Sequence, residues 1–128
     1  MNLGDSSIWE FGTGDFSVST WFKTSFSDIV LVSSYNGNNI NPTLRLNIHP
    51  IGPPIGGVSW HIFGSGTGWG NSIMSNSALN DNIWHFAVGV RQSGVLKLYI
   101  DGVKQTAEVA NTVNFNSDQK ALSIGADK

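Results

Sequence analysis

The chain has no cysteine, so disulfides, thiolate nucleophiles and Cys-based zinc sites are excluded. Charge is also scarce. Only 12% of the 128 residues are charged, against about 25% in an average soluble domain, and Ser, Asn, Gly and Thr supply the polarity instead. The seven Lys and Arg form no basic stripe, which argues against nucleic acid as a partner. No run of about 18 apolar residues exists to span a bilayer, so membrane insertion is not expected. Met1-Asn2-Leu3-Gly4-Asp5 lacks the charged and apolar regions of a signal peptide. The chain is expected to be intracellular, or to belong to a larger exported protein and act outside the cell or at its surface.

What is present is enough to fold. Residues of the hydrophobic class make up 40% of the chain, and net charge is only −2, unlike a disordered segment. The length suits one domain over residues 1–128.

Helical periodicity is missing, whereas alternation by two recurs. Phe16, Val18, Thr20 and Phe22 share one strand face, and Ser17, Ser19, Trp21 and Lys23 the other. Ile29 to Tyr35 starts too apolar for a half-exposed strand and is expected in a sheet centre. Leu44, Leu46 and Ile48 alternate with Arg45 and Asn47; Val58, Trp60 and Ile62 alternate with Ser59 and His61. From Ile83 to Arg91, the bulky set Trp84, Phe86, Val88 and Val90 is assigned to the core. His85, Ala87, Gly89 and Arg91 are assigned to the outside, with His85 near Tyr99.

A turn at Gln92-Ser93-Gly94 leads into Leu96, Leu98 and Ile100. Asp101-Gly102 then predicts a type I′ hairpin, with Ile100 facing Val103, Tyr99 facing Lys104, Leu98 facing Gln105 and Leu96 facing Ala107. Ala121 to Gly125 reads as a last strand. Pro50, Pro53 and Pro54 rule out a central strand over residues 50–57. Short strands separated by Gly, Asn and Pro turns predict an all-β antiparallel sandwich.

Three segments carry a family resemblance: Gly14-Asp15-Phe16-Ser17-Val18-Ser19-Thr20-Trp21-Phe22-Lys23; Leu79 to Val90 with its Trp84-His85 pair, running into the Tyr99-Ile100-Asp101-Gly102 hairpin; and Leu122-Ser123-Ile124-Gly125. Together they resemble the laminin-G-like branch of the concanavalin A-like lectin and glucanase superfamily. The resemblance implies a jelly-roll sandwich that binds glycans or, in some members, proteins. It also implies a first strand, vestigial here in Leu3 to Phe11, and a closing strand beyond the position of Lys128. An incomplete sandwich would keep an exposed strand edge, and from that a homodimer or other homo-oligomer is expected.

Two loops are the candidate ligand site. Trp69 stands among Gly64, Gly66, Gly68 and Gly70, which cannot bury it; as a loop aromatic it would stack on a sugar face. Asn36, Asn38 and Asn39 carry donors and acceptors that match sugar hydroxyls, and their oxygens also suit Ca²⁺. No metal ligand set is assigned, and His49, His61 and His85 lack zinc spacing.

A glycosidase needs two carboxyl groups roughly 5–9.5 Å apart. The related laminarinases carry theirs on one strand, whereas the only glutamates here, Glu10 and Glu108, are far apart in sequence and no strand bears alternating carboxylates. The expected function is therefore a non-catalytic carbohydrate-binding module. The alternative is a structural, adhesion or oligomerisation module of a larger surface protein.

Overall fold

The structure is a computed structural model and describes residues 1–5, 7–35, 42–64, 72–116 and 121–125. Among these the segments of period-two alternation are strands, and the one helical element is a 3₁₀ turn at Ser7–Trp9. Two antiparallel sheets face each other. The six-stranded sheet runs in the order β1 (Asn2–Asp5), β11 (Ala121–Ile124), β3 (Ile29–Ser33), β4 (Thr43–Ile48), β5 (Val58–Phe63) and β6 (Ser72–Met74). The five-stranded sheet runs β10 (Val109–Ala110), β8 (Val95–Ile100), β7 (His85–Gln92), β2 (Phe16–Phe22), with the short β9 (Val103–Lys104) also on β8. β3 is central, as its apolar start predicts. β1 is a real edge strand paired with β11, where only a vestige was expected.

The core lies between the sheets. Leu44, Leu46 and Ile48 of β4 and Val58, Trp60 and Ile62 of β5 meet Leu96, Leu98 and Ile100 of β8, with Phe22, Phe115 and Leu122 filling the ends. Trp60 is fully buried, and its indole N–H donates to the Val90 carbonyl across the sandwich at 3.2 Å.

The facing of β7 is the reverse of the sequence reading. His85, Ala87, Gly89 and Arg91 point inward and are buried, while Phe86, Val88 and Val90 point outward and Trp84 is 63% exposed. One turn explains the inversion. The β7–β8 hairpin turns on two residues, Ser93 and Gly94, both at positive φ, so that Gln92 pairs with Val95 and Arg91 with Leu96. A three-residue turn starting at Gln92 would pair Val90 with Leu96, and a slip of one residue exchanges the two faces of a strand. Given that Leu96, Leu98 and Ile100 face inward, Arg91, Gly89 and Ala87 must too.

Packing requires the same answer. A Cβ on Gly89 would lie 2.4 Å from Trp60 Cδ2, so only glycine leaves room for the indole. The inward Arg91 is satisfied by three carbonyls: Nε donates to Gly14 at 2.9 Å, Nη1 to Val113 at 2.7 Å and Nη2 to Gly12 at 2.7 Å. Its guanidinium lies 4.9 Å from the centre of the Phe16 ring.

The Asp101-Gly102 hairpin matches its prediction. Both residues have positive φ, Ile100 pairs with Val103, Tyr99 with Lys104, and Gln105 N donates to the Leu98 carbonyl at 2.8 Å. Beyond it the register departs: Leu96 pairs with Val109 of β10, not with Ala107, because residues 105–108 leave the sheet before the chain returns.

Candidate functional site

The polar halves of the alternating segments line up on the outer face of the six-stranded sheet. Register places Ser123, Ser33, Arg45, His61 and Ser72 in one row across five strands. Asn47 and Ser59 begin the next row, beside Met74. Because Leu44, Leu46 and Ile48 are all buried inward, Arg45 and Asn47 must face out; Ser59 and His61 follow from Val58, Trp60 and Ile62 in the same way.

These side chains hold one another in place. Asn47 Oδ1 accepts from Ser59 Oγ and from His61 Nε2, each at 2.8 Å, and Asn47 Nδ2 donates to the Ile48 carbonyl at 3.2 Å. An amide oxygen only accepts, so His61 carries its proton on Nε2. Burial, then the charge of Arg45 and the nearness of His49, push the His61 pKa down to about 3, and the ring is neutral at physiological pH. The Arg45 guanidinium lies over the Tyr35 ring, 5.6 Å from its centre.

A hollow of about 430 Å³ is lined by Arg45 and Asn47 together with Asp28, His49, Pro50 and Ile51, and Ser59 and His61, both buried, support it through Asn47 without lining it. It combines one cation, one carboxylate, an amide, an imidazole and an apolar wall. His49 Nδ1 is 2.6 Å from the Ile51 carbonyl oxygen, which ties the wall to the strand end. Among the described residues Asp28 is the one carboxyl group that lines the hollow. Among the described residues no group of three His, Asp or Glu side chains is placed to hold a metal ion, and no helix is long and apolar enough to cross a membrane.

The sequence-derived candidates Trp69, Asn36, Asn38 and Asn39 lie outside the described residues. Arg45, Asn47, Ser59, His61 and His49 were not singled out as ligand residues. Their signal was nevertheless present: the polar members of β4 and β5 are the complement of the apolar ones used to assign the core.

A second polar cluster lies at the end of the five-stranded sheet. His85 sits between two carboxylates, with Nδ1 2.7 Å from Asp101 Oδ2 and Nε2 3.2 Å from Asp81 Oδ1. Burial lowers its pKa, but the hydrogen bonds and charges of Asp101 and Asp81 outweigh that and raise it overall. Asp101 Oδ1 also accepts from Phe86 N at 2.8 Å, and Asp81 Oδ1 from Ile83 N at 3.0 Å. This cluster of a buried imidazole and two half-exposed carboxylates fastens the loop before β7 to the β8–β9 turn.

A laminin G family model, described as the Concanavalin A-like lectin/glucanases superfamily, matches residues 2–128. No curated protein matches the chain. Among solved structures, mouse laminin alpha1 chain domains LG4-5 are similar at 14% identity and a TM-score of 0.66, over 89% of this chain and 28% of that one. This chain thus spans little more than a quarter of that laminin structure. The CBM40 of the Ruminococcus gnavus IT-sialidase is similar at 12% identity and a TM-score of 0.65, over 94% of this chain and 67% of that one. The Bacillus licheniformis beta-glucanase is similar at 18% identity and a TM-score of 0.50, over 91% of this chain and 55% of that one. At such identities the likeness concerns the jelly-roll fold alone, which carries a laminin chain, a sialidase module and a glucanase alike.

Proposed function

We propose that this chain, which belongs to the laminin G branch of the Concanavalin A-like lectin/glucanases superfamily, is a non-catalytic carbohydrate-binding module acting through the Arg45 hollow. The observation that carries this reading is the pre-locked floor. Asn47, Ser59 and His61 satisfy one another, so little ordering is left for a ligand to impose. Around that floor Arg45, His49 and Asp28 offer donors and an acceptor, and Pro50 and Ile51 offer an apolar wall. A saccharide ring has the matching shape: a rim of hydroxyls and an apolar face. That Asp28 is the one carboxylate among the described lining residues supports binding without hydrolysis, which takes a pair. The CBM40 likeness supports the same ligand class by analogy of fold.

The test is a glycan array followed by calorimetry on the best hit. Arg45→Gln is expected to weaken binding about tenfold, some 1.4 kcal/mol, with an unchanged melting temperature. Full affinity in folded Arg45→Gln would remove the hollow from the function. Self-association belongs to the same reading. β2 pairs only with β7 among the described residues and carries no charge to blunt its other edge. Sedimentation across concentrations tests it, and a constant monomer would refute it.

A further inference from the structure

The inverted facing of β7 leaves an apolar surface on the side of the sandwich away from the hollow. Trp21 of β2 pairs with Phe86 of β7, and their rings lie 5.0 Å apart. Trp84 immediately precedes β7, next to the inward-pointing His85, and is exposed. Both tryptophans are 63% exposed. Phe26, 69% exposed, leaves a loop that is joined to the Trp84 loop by Asn82 N donating to the Thr24 carbonyl at 2.9 Å.

These rings stand in water although nothing about the loop is slack. His85 grips Asp81 and Asp101, Asp81 holds Ile83 N, Asp101 holds Phe86 N, and Asn82 is kept at φ 63°. Exposed apolar surface of this kind marks an interaction site.

Charge and size select the occupant. Asp81 and Asp101 are each about half exposed beside the rings. Carboxylates accept hydrogen bonds from hydroxyls and repel acidic polysaccharides and anionic membranes. The exposed parts of Trp21, Trp84, Phe26 and Phe86, at about 150–250 Å² for each whole side chain, fall short of the roughly 800 Å² per partner in a standard protein interface. They do suit the apolar faces of a few sugar rings.

We propose that Trp21, Phe86 and Trp84 form a second saccharide site, on the opposite side of the sandwich from the Arg45 hollow, which stacks a neutral sugar chain and uses Asp81 and Asp101 as hydroxyl acceptors. It does not depend on the hollow being a site. Cellohexaose, chitohexaose and mannohexaose serve as neutral probes and trigalacturonate as the acidic one, with calorimetry and tryptophan fluorescence as readouts. At least one neutral hexaose is expected to bind. Trp84→Ala and Trp21→Ala should each weaken it about tenfold or more while the melting temperature holds, and Arg45→Gln should leave this binding in place. The proposal is overturned if no neutral hexaose binds, if both tryptophan variants bind as the parent does, if Arg45→Gln abolishes all binding, or if trigalacturonate competes equally at this face. It is also overturned if Trp84→Ala turns a dimer into a monomer without altering sugar affinity, which would make the face a self-association surface.

Discussion

β7 keeps its polar groups on the opposite face from β4 and β5. In β4 and β5 of the six-stranded sheet the large apolar residues face in and Arg45, Asn47, Ser59 and His61 face out. In β7 of the five-stranded sheet the inward positions hold a glycine, an alanine, a histidine and an arginine, and the outward ones hold Phe86, Val88 and Val90. Size settles the contrast, not hydropathy. Trp60, sent inward by β5, occupies the space opposite Gly89, and β7 must yield that space. The polar residues of β7 are tolerable inside because each is fully partnered, Arg91 by three carbonyls and His85 by two carboxylates.

The strongest way to break this contrast is to truncate a tryptophan from each sheet. Trp60→Ala should cost about 3–5 kcal/mol, since it empties the centre of the core. Trp84→Ala, exposed, should stay within roughly 0.5 kcal/mol of the parent. Denaturant unfolding checks both, and similar losses would contradict the facing described here. Next in size, Gly89→Ala should cost about 1–3 kcal/mol, because the added methyl meets the indole of a fully buried tryptophan. The same substitution at Gly102, where a Cβ meets nothing within 4 Å, should cost less, its penalty coming only from φ +81°.

The subtlest effect separates the two buried histidines. His85 has a raised pKa, so its stabilisation is complete below the unfolded imidazole value of about 6.5 and is lost as pH rises through the folded value. His61 has a folded pKa of about 3, so its stabilisation is complete above about 6.5 and is lost as pH falls toward 3. Unfolding midpoints measured across pH should show His85→Gln flattening the alkaline side of the stability profile and His61→Gln the acid side. Identical profiles for both variants would mean that the carboxylates beside His85 do not hold its proton.

Most strands were legible from alternation alone. The division of β2 into two faces, the inward leucines of β8 and the Asp101-Gly102 turn came directly from period-two patterning and turn chemistry. β7 was misread because its outward residues are bulkier than its inward ones, and only the two-residue turn at Ser93-Gly94 reveals the register. The Arg45 hollow was hidden for a different reason. Its residues are dispersed over positions 28–51, and only β pairing gathers them beside Ser59 and His61. The loop candidates Trp69, Asn36, Asn38 and Asn39 were chosen for expected exposure, which the described residues do not address.

Arg91 ties together carbonyls at positions 12, 14 and 113, on both sides of itself in the chain. The bonds to positions 12 and 14 cannot form until about seven-tenths of these 128 residues has left the ribosome, and the bond to position 113 not until about nine-tenths. Until then a guanidinium awaits carbonyl partners and the apolar strands around it lack their lid. Closing loops of nearly eighty residues is slow compared with turning a hairpin. The β7–β8 hairpin is therefore expected to form early, and docking of the N-terminal segment onto Arg91 late. In the interval the nascent chain exposes its hydrophobic strands to chaperones.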